Sequence, residues 1–259
     1  MTAIIDVVTA IAREAGAVLR DGFGRKRQLD FKSRSELVTD MDLASERLIV
    51  AQLATHFPDH HIITEEGGGR EQASRYVWLV DPLDGTNNYA HSNPFWSVSI
   101  ALLADDVLQL GVVYGPIHDE CFTATQGGPA LLNGQPIHVS QIGELRHAQL
   151  STGFPYDRWS RPDTNIAETA AMVMQCQDVR RMGSAALDLC YVAAGRNDGH
   201  WELELKPWDS AAGAVIVHAA GGRVSDLIGG QYSPWHNRVV ASNSLLHDSM
   251  LAVLAQGSR

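Results

Sequence analysis

The chain has 259 residues, 45% of them hydrophobic, and a formal net charge of -10, enough apolar material to bury a large core in one compact unit or two packed lobes. The acidic balance excludes a general nucleic-acid or anionic-membrane surface, which needs an excess of Lys and Arg, but allows a phosphorylated ligand if metal ions stand between it and the carboxylates. Three widely spaced cysteines, Cys121, Cys176 and Cys190, sit in apolar surroundings without zinc spacing and read as reduced thiols of a cytoplasmic protein.

Apolar residues at Ile4, Ile5, Val8, Ile11, Ala15, Val18 and Leu19 recur with helical spacing, which predicts an amphipathic first helix ending near Gly22 and Gly24. Its charges at Asp6, Arg13, Glu14, Arg20 and Asp21 are incompatible with a signal peptide or a membrane span. A second helix is expected to start at Thr39 or Asp40, bury Leu43, Ile49, Leu53 and Phe57, and stop at Pro58. The segments "HIIT", "YVWLVD", "FWSVSIALL", "VLQLGVVYGP" and "CFTAT" are short and β-branched or aromatic, as strands are, with Asp105-Asp106 as a hairpin tip. After "NGQPIHVS", strands near "AQLSTG", "DVRRM", "DGHWEL" and "RVVAS" alternate with helical patterns at roughly 163–176, 184–194, 209–220 and 244–256. This order predicts an α+β lobe over residues 1–140 and an α/β lobe over 141–259, packed tightly because no Gly/Ser linker separates them.

The run "WLVDPLDGTNN" ends an apolar strand in Asp81 and Asp84. Two close carboxylates repel and raise each other's pKa unless a cation compensates, so divalent metal binding explains the pair. A strand end followed by a helix N-cap explains it too. Three further stretches favour the metal: "IITEEGG" ends another apolar run at Glu65 and Glu66, "KPWDSAAGA" puts Asp209 at a helix start, and "LVTDMD" puts Asp40 and Asp42 at another. Acids at strand ends and helix starts from four distant segments are what a hard-metal site on a sheet edge requires.

These stretches, with "DPLDGTNNYAHSNPFWSVSIAL", "GVVYGP" and "GSAALDLCYVAAGRNDGHWELELKPWDSAAG", resemble the inositol monophosphatase-like, magnesium-dependent, lithium-sensitive phosphatases over nearly the whole chain. A D-P-x-D-G-T-x-N signature followed at this distance by W-D-x-A-A-G is highly specific. The resemblance implies a layered α-β-α-β-α sugar-phosphatase fold, usually dimeric. It implies that Glu65, Asp81 and the Leu83 carbonyl hold one Mg²⁺, that Asp81, Asp84 and Asp209 hold a second, and that Glu65 helps hold a third. Asp42 and Thr86 match the pair that orients and deprotonates the attacking water, with Glu65 beside them. Lys32, Asp84, Gly85, Thr86 and Glu202 match substrate-binding positions: the Gly85 and Thr86 N–H groups for the phosphate, and Glu202 for the hydroxyls of a polyol. The implied reaction is hydrolysis of myo-inositol 1-phosphate. Histidinol phosphate, fructose 1,6-bisphosphate, NADP and 3′-phosphonucleotides are alternative substrates, and a non-catalytic binding protein on the same fold is the alternative class.

Other features carry less. His91, His118, His138, His200 and His218 show no H-x-x-x-H or H-E-x-x-H spacing and read as structural or surface residues. Arg180 and Arg181 can meet a phosphate, a partner or a structural acid. An aspartyl-phosphate phosphatase needs its two acids two apart near the N-terminus, whereas Asp81 and Asp84 are three apart in mid-chain.

Overall fold

The computed structural model describes residues 2–25, 29–31 and 37–257. In chain order the N-terminal part carries α1 (Thr2–Gly22), β1 (Leu29–Phe31), β2 (Leu37–Thr39), α2 (Asp40–His56), β3 (His61–Thr64), β4 (Tyr76–Asp84), α3 (Thr86–Ala90), β5 (Ser97–Ala104), β6 (Val107–Gly115), β7 (Glu120–Thr125), β8 (Leu131–Leu132) and β9 (Gln135–Pro136). The C-terminal part carries β10 (Gln149–Thr152), α4 (Ile166–Val173), β11 (Asp178–Arg180), α5 (Ala185–Ala193), β12 (Gly199–Leu203), α6 (Pro207–Ala219), β13 (Arg223–Ser225), β14 (Arg238–Ser242) and α7 (His247–Gly257).

Strands β3 to β9 form a seven-stranded sheet in sequential order, and a five-stranded sheet runs β11-β10-β12-β14-β13. Three separate apolar clusters show how these sheets are stacked. Val8, Ile11, Ala15 and Leu19 of α1 and Ile49 and Leu53 of α2 pack on Trp78, Val80, Val98 and Ile100. The opposite face of the same sheet, with Leu79, Ala101 and Leu103, packs on α5 and α6, whose other side meets Val239 and Ala241 of the second sheet. The far face of that sheet, with Trp201, Leu203 and Val240, is closed by α4 and α7 through Met172, Met250 and Leu254. Helices, sheet, helices, sheet, helices: this is the layered α-β-α-β-α fold.

Burial on both faces explains the strand sequences. β5 is buried along seven of its eight positions, so it reads as a continuous apolar run rather than an alternating one. The middle helices must fit between two sheets, and the small residues Ala211, Ala212, Gly213 and Ala214 make α6 thin enough to be buried there from Ser210 to Val217.

Two expectations about boundaries need correcting. The strand through "YVWLV" does not stop before Asp81; β4 runs on to Asp84, still paired with β5 at Asp81↔Ser99 and Asp84↔Ser97. Pro82 and Leu83 form an irregularity between those pairs, as Pro must where it interrupts a ladder. Helix α6 starts at Pro207, so Asp209 is the third residue of the helix and not its N-cap. Asp105 and Asp106 both take positive φ, 50° and 60°, at the β5–β6 hairpin, the conformation of a two-residue tight turn. No helix among the described residues is long and apolar enough to cross a membrane.

Candidate active site

Strands β3 and β4 are parallel with Thr64 opposite Val80, so the residues that follow, Glu65 and Asp81, leave the sheet side by side. The Glu65 N–H donates to the Val80 carbonyl at 3.2 Å, which holds that register one residue beyond the strand. Glu46 of α2, buried in the middle of its helix, accepts from the N–H groups of Glu66 (3.1 Å) and Gly68 (3.0 Å). A helix glutamate thereby fastens the loop that carries Glu65. Glu66 is held here through its backbone N–H.

Past Val80, the irregularity in β4 turns successive residues toward one place. Asp81 Oδ1 accepts the Leu83 N–H at 3.0 Å, and Ser45 of α2 donates to the Pro82 carbonyl at 2.7 Å. Gly85 then takes φ +93°, and a Cβ there would press on the Gly183 and Phe95 carbonyls. Only glycine fits both constraints. Asp84 is not the N-cap of α3. It reaches to the start of α5, where its carboxylate accepts from the Ser184 hydroxyl, the Ala185 N–H (3.2 Å) and the Ala186 N–H (2.9 Å). The N-terminal half of the chain thus places its acid on a helix start of the C-terminal half, where the macrodipole favours negative charge.

Asp42 is the third residue of α2 and closes a capping box with Thr39. Its Oδ2 accepts both the Thr39 N–H (2.8 Å) and the Thr39 hydroxyl (2.6 Å), leaving Oδ1 to accept the Thr86 hydroxyl at 2.9 Å. The same hydroxyl lies 3.0 Å from the Leu83 carbonyl. Asp209 Oδ2 accepts the Lys206 N–H at 2.7 Å.

Glu65, Asp81, Leu83, Asp84, Gly85, Thr86, Glu202 and Asp209 line one cleft of about 310 Å³. Asp42 stands behind Thr86, 1% exposed, and Lys32 lies outside the described residues. Asp40, exposed at the helix start, stays apart from the cleft wall. Arg181 lines the cleft, while Arg180 pairs with Asp178. Sequence reasoning missed Ser184, Glu46 and Tyr156, which also lines the cleft. Ser184 had a readable signal, a serine directly before a helical run.

The electrostatics follow from this crowding. Burial pushes the Asp81 carboxyl well above its usual range, and the charges of Glu65, Asp84 and Asp209 push it further. Burial raises Asp84 to about 6 even though Ser184 and the Ala186 N–H oppose the shift. Asp209 is raised well above its usual value by burial and by Glu65. Asp42 is also raised by burial, against its hydrogen bonds from Thr39 and Thr86. Among the described residues, no three Asp, Glu, His or Cys side chains are closed up on a common point. The donor set nevertheless fits a hard divalent cation: it is all oxygen, and its like charges are relieved by a +2 ion more fully than by any side chain on the cleft wall.

The whole chain, residues 1–259, matches the model of the inositol monophosphatase family. The chain belongs to the inositol monophosphatase family. An inositol-1-monophosphatase of Synechocystis is 41% identical over 253 residues, covering 97% of this chain and 88% of the relative. The Nus factor SuhB of Escherichia coli K12 is 39% identical over 255 residues, covering 97% and 96%. The solved structure of inositol monophosphatase from Anabaena superposes with a TM-score of 0.90 at 42% identity, covering 98% of this chain and 96% of the other. Membership places the chain among metal-dependent phosphatases of small phosphorylated compounds, and the cleft is where the family signature residues of this chain meet.

Proposed function

We propose that this protein is a Mg²⁺-dependent phosphomonoesterase whose substrate is myo-inositol 1-phosphate. The observation that supports it above all is the convergence of Glu65, Asp81, Asp84 and Asp209 on the cleft that Thr86 also lines, with Asp42 behind it. In this reading Glu65, Asp81 and the Leu83 carbonyl hold one Mg²⁺, Asp81, Asp84 and Asp209 hold a second, and Glu65 assists a third. Bound Mg²⁺ supplies charge neutralisation of the phosphate dianion and a water of lowered pKa.

The chain's own groups would act on the attacking water. Thr86 Oγ1 accepts one water proton while its hydroxyl proton passes to Asp42 Oδ1, 2.9 Å away. Asp42 is suited to take it, because burial raises its proton affinity. The oxygen of the water bonds to phosphorus with its remaining hydrogen, the ester oxygen leaves with the bonding pair and takes a proton from solvent, and Asp42 returns its proton to solvent through Thr86, so that hydrogen phosphate and alcohol result. The Gly85 and Thr86 N–H groups would receive a phosphate oxygen. Glu202 accepts hydrogen bonds from hydroxyls of the leaving alcohol, which favours a polyol.

Release of phosphate from inositol 1-phosphate, histidinol phosphate, fructose 1,6-bisphosphate, NADP and 3′-phosphoadenosine, with Mg²⁺ and with or without Li⁺, tests the assignment. Inositol 1-phosphate should give the highest kcat/KM, with inhibition by Li⁺. An equal or higher value for another substrate would refute the inositol assignment. The name Nus factor carried by relatives supports a second reading, in which the same fold also serves as a binding component. Retention of every signature acid favours catalysis in this chain.

A further inference from the structure

Behind Glu202 lie three polar side chains, His200, Ser151 and Asp188, that the reaction described above does not use. Glu202 sits on β12, next but one to His200, so both side chains leave the same face of the strand. That face looks into the layer of α5 and α6. His200 is completely buried. Its Nδ1 lies 2.9 Å from the Ser151 hydroxyl of the neighbouring strand β10, and its Nε2 stands 3.4 Å from Glu202 Oε2. Nε2 has no in-line hydrogen-bond acceptor among the described residues, and neither has a donor been placed on Asp188 Oδ1. Asp188, on α5, is buried as deeply, and Ser151 and His200 are the groups that favour its charged form.

Two buried polar atoms without partners in one cluster are costly unless the cluster has a task. The direction of this cluster identifies the task. It begins at Asp188 in the helix layer, passes Ser151 and His200, and ends at the only member that reaches the cleft wall, Glu202. From the opposite side the Gly153 backbone lies so close to the Glu202 carboxylate that a Cβ would overlap it. The carboxylate is therefore confined between a glycine and an imidazole, although a glutamate on an open cleft wall would otherwise sample several rotamers.

We propose that His200 is a positioning residue that fixes the Glu202 carboxylate toward the substrate alcohol, with Ser151 holding the imidazole from behind. The proposal rests on Glu202 meeting the alcohol. The Ser151 hydroxyl fixes the ring plane through Nδ1, and Nε2 stands 3.4 Å from Glu202 Oε2, so that the imidazole limits where the carboxylate can go and leaves it turned to the ligand. An oriented acceptor discriminates among alcohols by where their hydroxyls stand; a mobile one does not. Specificity for a polyol is in this way written partly into residues that never touch it.

The experiment compares inositol 1-phosphate with phenyl phosphate, which offers Glu202 no hydroxyl, in wild type, E202A, H200F, H200Q and the H200F/E202A double variant, each checked by thermal melting. E202A should raise KM for inositol 1-phosphate about tenfold more than for phenyl phosphate, the loss of one hydrogen bond to a charged group. H200F should reproduce most of that difference, H200Q should recover it because its amide nitrogen reaches the place of Nε2, and H200F should add nothing in the E202A background. If E202A shows no difference between the two substrates, the alcohol contact falls and this inference falls with it. If E202A shows the difference but H200F and H200Q lose equally on both substrates, or if the two losses add in the double variant, Glu202 keeps its role and His200 is only a structural residue.

Discussion

The Thr86 hydroxyl donates to Asp42 Oδ1 across 2.9 Å and 44 positions of sequence, joining the first turns of α2 and α3. Because Thr39 occupies the other Asp42 oxygen twice, the carboxylate cannot rotate away from Thr86 without breaking two bonds. The T86A variant should therefore fold and lose roughly 10²–10⁴ in kcat, the usual contribution of a positioned acid–base group, and T86S should retain most of the activity. Steady-state kinetics at saturating substrate measure this. Wild-type kcat in T86A would remove the relay.

Ser184 has two duties, accepting the Leu187 N–H at 3.4 Å as the N-cap of α5 and donating to Asp84. S184A should lose about 1 kcal/mol of stability from the cap. It should also raise the Mg²⁺ concentration for half-maximal activity roughly 10- to 100-fold, as loss of a group that orients a metal ligand does. An unchanged Mg²⁺ dependence would mean that Asp84 is held by the α5 N–H groups alone.

Of the acids that line the cleft, Asp157 and Glu204 lie at no break in the sequence pattern. Glu65, Asp81, Asp84 and Asp209 were legible because each follows an apolar strand or opens a small-residue helix, and such breaks in pattern stand out in one sequence. The groups that hold them were not. Glu46 lies mid-helix in "LASERLIV", where a glutamate normally faces water; only the fold shows that it clamps the Glu65 loop. Asp188 is hidden within "AALDLCYVA" and His200 lacks any metal-ligand spacing, so nothing announces that Asp188 is buried or that His200 stands 3.4 Å from Glu202. Element order made two sheets readable, since a run of strands is followed by strand–helix alternation; their layered stacking was implied by the family resemblance, and the fold bears it out. The continuation of β4 through Pro82 was not readable, because Pro ordinarily ends a strand.

Gly153 and Glu202 yield a substitution that acts on specificity. A methyl group at position 153 would collide with the far end of the Glu202 side chain, which moves more readily than backbone. G153A should consequently fold as wild type and raise KM for inositol 1-phosphate more than for phenyl phosphate. Equal kinetics on both substrates would show that the carboxylate has room to spare.

His247 provides a pH test of the fold away from the cleft. Ser225 donates to the Asp226 carbonyl and so must accept from Nε2 (2.8 Å), while Ser242, which accepts the Ser244 N–H, has its own hydrogen free to donate to Nδ1 (2.9 Å). These partners specify a neutral imidazole, and burial lowers its pKa from 6.5 to about 4. The unfolded chain binds this proton below pH 6.5 and the folded chain does not until about pH 4. The contribution of His247 is therefore complete above 6.5 and is lost as pH falls from 6.5 toward 4, at up to about 1.4 kcal/mol per pH unit. Urea unfolding at pH 7 and pH 5 should show a smaller pH dependence in H247Q than in wild type; parallel pH profiles would contradict the assignment.

The cleft acids as a Mg²⁺ site for phosphate-ester hydrolysis are tested most directly by phosphate release from myo-inositol 1-phosphate, with Mg²⁺ titrated into metal-stripped wild type and D84N. The expected result is no release without Mg²⁺, full recovery on its addition, and a loss of about 10²-fold or more in D84N at every Mg²⁺ concentration. Release that is independent of Mg²⁺, or wild-type turnover in D84N, would contradict it.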